Sequence, residues 1–110
     1  MTQIACLTLQ RADLRRQESA LSWKILCITS AMSTLMKASG NLNQLATDYS
    51  SDDALSKTLQ QRQYKLKILE EQLSRQKEEA QTQLQGIRTE IQSVNQAIDS
   101  QIKDAYSFRY

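Results

Sequence analysis

Residues 66–105 read LKILEEQLSRQKEEAQTQLQGIRTEIQSVNQAIDSQIKDA. Steps of three and four through this stretch land on Leu66, Leu69, Leu73, Gln76, Ala80, Leu84, Ile87, Ile91, Val94, Ile98, Ile102 and Ala105. Side chains at that spacing share one face of a helix. Extended backwards, the step adds Leu55, Leu59 and Arg62, so thirteen of fifteen positions are apolar. A stripe of this length with no interior stop apart from Gly86 belongs to a coiled coil or an extended bundle, and it predicts one long helix over about 54–105. Two consecutive steps of four fall at Gln76-Ala80-Leu84 and Val94-Ile98-Ile102. The mean spacing therefore lies between 3.5 and 3.6, which predicts a shallow supercoil that is locally unwound at those two places. The polar stripe positions Arg62 and Gln76 either set register or mark a solvent-open stretch.

The same stepping through the N-terminal third gives Ile4, Leu7, Arg11, Leu14, Glu18, Leu21, Ile25, Ile28, Met32 and Leu35, eight of ten apolar. That face predicts a helix over about 3–38. From Ala20 onward Trp23, Leu26, Cys27, Ala31 and Met36 widen the apolar surface, so this half needs cover on more than one side. Trp23 reads first as a core or bundle-interface aromatic and second as a recognition hot spot. Ala38-Ser39-Gly40-Asn41 carries a helix stop, because Gly40 or Asn41 can adopt the left-handed conformation. Ser50 with Asp53 fits a capping box for the helix that follows. Residues 39–53 are the expected bend.

Between these helices nothing reads as a strand. The chain has no proline, two glycines and 15 glutamines, a composition rich in helix formers. One domain of all-α class is expected, a two-helix hairpin or extended coiled coil with a long C-terminal helix. Helices of about 36 and 52 residues would span roughly 50 and 80 Å, leaving the second to overhang the first by about 25 Å.

Fourteen basic residues stand against twelve acidic ones, with the signs interleaved and no basic stripe, so nucleic acid is not an expected partner. The window Ala20 to Met36 is interrupted by Ser22, Lys24, Thr29, Ser30, Ser33 and Thr34, too polar to span a membrane. The start, Met1-Thr2-Gln3-Ile4-Ala5-Cys6, lacks the pattern of a cleaved secretory signal. A cytoplasmic location, or export without a cleaved signal, follows as the expectation. Histidine is absent, and Cys6 and Cys27 are the only thiols. That removes the commonest general base and the usual zinc ligand sets. Spaced too far apart to pair on one helix, the two cysteines read as small core residues, with their redox state open. No catalytic, cofactor or metal site is expected.

Tyr106, Phe108 and Tyr110 alternate in the last five residues and predict an extended tail over 106–110 that docks in a groove or folds back. With that tail, the residues expected to form an interface are Leu66, Leu69, Leu73, Leu84, Ile87, Ile91, Val94, Ile98 and Ile102 of the second helix and Trp23, Ile25, Ile28 and Met32 of the first. The expected partner is a second copy or another helical protein.

In size, two-helix plan, uncleaved polar start, Gln and Ser richness and the apolar end formed by Ile98, Ile102, Tyr106 and Phe108, the chain resembles small helical-hairpin proteins exported by bacterial specialised secretion, the needle-type and flagellar filament components. That resemblance implies a self-assembling subunit. The alternative is a helical adaptor or secretion chaperone that clamps a client helix with the wide face around Ala20 to Met36.

Overall fold

The computed structural model describes residues 2–49 and 51–107; Met1, Ser50 and residues 108–110 lie outside the described set. Two helices account for nearly all of it, α1 over Thr2–Asp48 and α2 over Asp53–Ser107. The fold is an all-α helical hairpin, and its contacts divide into two compact units: Met1–Lys24 with Ala80–Tyr110, and Ile25–Glu79.

In the first unit the helices run antiparallel. Arg11 Nη1 donates to Asn95 Oδ1 at 3.0 Å and Arg88 Nε to Glu18 Oε2 at 3.4 Å; the numbers in each pair, 11 with 95 and 18 with 88, add to 106. Residue 4 therefore falls opposite residue 102, and the expected overhang of about 25 Å is replaced by level helix ends. The core of this unit is Leu14, Val94 and Ile98, with Leu7, Ile87 and Ile91 packed around them. Arg11 and Glu18, polar members of the α1 stripe, are the residues that reach across to α2. Arg88 is 63% exposed, so its ion pair is screened and contributes less than about 1 kcal/mol.

The second unit holds the turn. Gln63 Nε2 donates to Asn43 Oδ1 at 2.6 Å across it. Contrary to the expected stop at Gly40-Asn41, α1 continues to Asp48, and no described residue has positive φ. Half-buried Leu42 and Ala46 extend the seam of α1 past the glycine. Burying them offsets the roughly 1 kcal/mol that a mid-helix glycine costs relative to alanine. Gly86 carries the same cost inside α2. The bend is accordingly short: Tyr49 N donates to Leu45 O at 3.0 Å, and Asp52 N to Tyr49 O at 3.1 Å. Ser50 of the expected capping box lies outside the described residues. Asp52 caps α2, its Oδ1 accepting from Leu55 N at 3.2 Å, while Asp53 adds an acid to the first turn.

The stripe of α2 also needs correction. Its seam runs through Ser56, Leu59, Gln63, Leu66, Glu70, Leu73, Lys77, Ala80, Leu84, Ile87, Ile91, Val94, Ile98 and Gln101, spaced three and four in strict alternation, with Asn95 and Ala97 half-buried beside it. Leu55, Arg62, Leu69 and Gln76 are exposed instead, and the two double steps of four do not occur. The α1 seam repeats with the same strict period from Ile4 to Ala46. A facing seam that does not drift holds α2 to 3.5 residues per turn as well.

Three substitutions test this arrangement by denaturation. Asp52→Ala loses the cap and costs about 1 kcal/mol. Gly40→Ala stabilises by roughly 0.5–1 kcal/mol, because a Cβ there meets nothing within 4 Å. Leu14→Ala, from a side chain 5% exposed, costs about 2 kcal/mol or more, whereas Leu69→Ala stays within about 0.5 kcal/mol for the isolated chain.

Candidate helix-packing interface

Most of the residues expected at an intermolecular interface are used inside the hairpin. Leu84, Val94, Ile98 and Ile28 are buried; Leu66, Leu73, Ile87, Ile91, Ile25 and Met32 are half-buried in the seam. Trp23, Leu69, Ile102 and Tyr106 are exposed. Phe108 and Tyr110 lie outside the described residues. Tyr106 itself belongs to α2 rather than to an extended tail, because the helix continues through Ser107.

Trp23 is not a core residue. It falls five places after the seam residue Glu18, on the far side of α1 from α2, and remains 69% exposed. Cys6 and Cys27, expected in the core, are likewise exposed free thiols, since each sits two places after a seam residue and turns outward. Other exposed large apolar side chains include Leu9, Leu26, Met36, Leu45, Tyr49, Leu55, Tyr64 and Ile68. Several, such as Leu9, could have been found in the sequence as apolar residues off the stripe.

The two flanks of the first unit differ. One is closed by Arg11 to Asn95 and Glu18 to Arg88. The other opens into a groove of about 420 Å³ lined by Gln17, Ala20, Leu21, Gln83, Gly86, Ile87 and Glu90. Leu21 and Ile87 belong to the seam and form its floor. Ala20 and Gly86 lack the bulk to close it, and a Cβ added to Gly86 would meet nothing within 4 Å. A smaller groove of about 350 Å³ near the helix ends is lined by Gln3, Cys6, Leu7 and Gln101.

The hydroxyls of Thr8, Thr29, Thr34 and Thr47 donate to the carbonyls four residues earlier, at 2.7 to 3.2 Å. Each of these hydroxyls has its proton engaged by its own helix. Among the described residues no polar or charged side chain is buried, no group of three or more acidic or thiol residues is placed to hold a metal ion, and no helix is long and apolar enough to cross a membrane. The exposed apolar side chains and the shallow grooves, one of them with Gln17, Gln83 and Glu90 among its lining residues, are the most distinct features of the described surface.

Compared with known proteins, the sequence matches no family model and no curated protein, and the fold matches no solved structure.

The outward placement of the cysteines has a direct check. In dilute solution both thiols should titrate with a thiol reagent without denaturant. A thiol that reacts only after unfolding would contradict its assigned position.

Proposed function

We propose that the chain is a non-enzymatic structural subunit that assembles with copies of itself through helix packing. One balance of surface carries this reading. A compact chain of 12.6 kDa exposes about 6,200 Å², whereas this one exposes 8658 Å². The excess, roughly 2,500 Å², is well above the ~800 Å² that each partner contributes to a standard protein interface. Much of it is apolar, because Trp23, Leu9, Leu26, Met36, Tyr64 and Tyr106 are more than half exposed. Apolar surface on that scale is stabilised by removal from water at about 25 cal/mol per Å². The resemblance to exported helical-hairpin subunits points the same way, and a cytoplasmic or exported location without a cleaved signal belongs to the same proposal.

A second reading, a helical adaptor or secretion chaperone, draws on a different observation. Between residues 25 and 47 the only charged residue is Lys37, and Leu26 and Met36 are exposed on that stretch. A client helix laid there would meet little charge to desolvate.

Sedimentation across micromolar concentrations separates the two. A subunit shows mass rising with concentration in the absence of any other protein. A chain that remains monomeric throughout, with its helicity intact by circular dichroism, contradicts the assembly reading and favours the adaptor.

A further inference from the structure

Resting on that assembly reading, we propose that two copies pair through the second unit, with α2 antiparallel to α2 about a two-fold axis at Leu69. The seam fixes which side of the hairpin is used. Asn43 directly follows the seam residue Leu42, and its hydrogen bond to Gln63 marks one flank. Ala31, Ala38 and Leu45 directly precede the seam residues Met32, Ser39 and Ala46, so they turn to the opposite flank. On α2, Arg62, Leu69 and Gln76 precede Gln63, Glu70 and Lys77, and antiparallel pairing brings them to that same side. Leu45 and Leu69 each keep a little under half of their surface exposed there. The strip they form with Ala38 is continuous with the hairpin's own seam.

Charge selects the occupant and its direction. Residues 54–69 carry Lys57, Arg62, Lys65 and Lys67 and no acid, whereas in 70–79 Glu70, Glu71, Glu78 and Glu79 outnumber Arg75 and Lys77. A second α2 laid parallel in register sets like charge against like. Turned end for end about Leu69, it sets the basic half of each copy against the acidic half of the other. Residues equally far from Leu69 come level, so Arg62 meets the partner's Gln76 and lies within a turn of the partner's Glu79, twice by symmetry. Asn43 opposite Gln63 puts Ala38 beside Leu69, so the same axis sets the large Leu45 of one copy over the small Ala31 of the other, and this strip of α1 adds no charge. Over residues 59–79 the contact is about 30 Å long and two helices, about 20 Å, wide, or roughly 600 Å² from each copy. That reaches the lower end of stable interfaces, about 1,200 Å² in total.

Charge reversal on the full chain provides the test. Arg62→Glu leaves acids at both 62 and 79, and Glu79→Arg leaves bases at both. Both positions are exposed, and circular dichroism verifies that each variant keeps its helices. In sedimentation at micromolar concentration, each variant alone should associate about tenfold or more less tightly than the wild type, because like charges then face each other at both ends of the contact. An equimolar mixture should recover the wild-type affinity as a heterodimer. Loss in each variant with recovery in the mixture is specific to end-for-end pairing, since parallel pairing leaves the single variants as associated as the wild type. Leu69→Glu, which brings two carboxylates together at the axis, should abolish the dimer. If the wild type associates and the single variants match it, or if their mixture stays as weak as they are, the contact at Leu69 is wrong while self-assembly stands. A wild-type protein that is monomeric at every concentration overturns both the contact and the assembly reading beneath it.

Discussion

The hairpin depends on one constraint, that the seams of two long helices keep the same period. An ideal helix drifts by about 20° per heptad relative to a 3.5-residue repeat. Over thirteen or fourteen successive seam positions that drift would carry the last contacts around to solvent. Both helices avoid it by strict alternation of three and four, from Ile4 to Ala46 and from Ser56 to Gln101. Register, turn length and the identity of every outward-facing residue follow from that shared period. Asp52 caps α2 where the seam of α2 must begin, and Gly40 remains helical because the seam of α1 has not yet ended.

The two units meet this constraint with different materials. In the first, Leu7, Leu14, Ile87, Ile91, Val94 and Ile98 make an apolar cluster. Along α2 in the second, Ser56, Gln63, Glu70 and Lys77 alternate with Leu59, Leu66 and Leu73. Glu70 and Lys77 contribute their aliphatic stems and keep their charged ends in water. Along α2 this seam presents fewer apolar residues per turn, and Gln63 of the seam adds a hydrogen bond across to Asn43.

The fold class and the α1 seam from Ile4 to Leu35 were legible in the sequence because eight of the first ten α1 stripe positions are apolar. The same method missed Ser56, Gln63, Glu70, Lys77 and Gln101 of the α2 seam, the first four for an identifiable reason. Leu55 and Leu69 define a path through Leu59, Leu66 and Leu73 that differs from the true one by a single residue at alternate steps. Hydrophobicity favours the wrong path, and only the facing helix decides between them. Gly40-Asn41 misled in the same way: its local preference for a stop is weaker than the burial of Leu42 and Ala46. The groove was not legible at all, because it is made by what Ala20 and Gly86 lack, on residues separated by more than sixty positions. Trp23 was read first as a core aromatic, and its outward direction could be assigned only once the seam was placed.

A mean hydropathy of −0.55 describes a strongly water-loving chain. The threonines of α1 show how such an average misleads. A hydroxyl that donates to its own backbone carbonyl no longer offers its proton to the solvent and keeps only its acceptor side, so each of the four counts as fully polar in composition while hydrating less strongly. Along the stretch where Lys37 is the lone charge, the first hydration layer has few strong anchoring points. Drying that strip is easier than its letters imply, and a neighbouring helix approaching it would displace loosely held water.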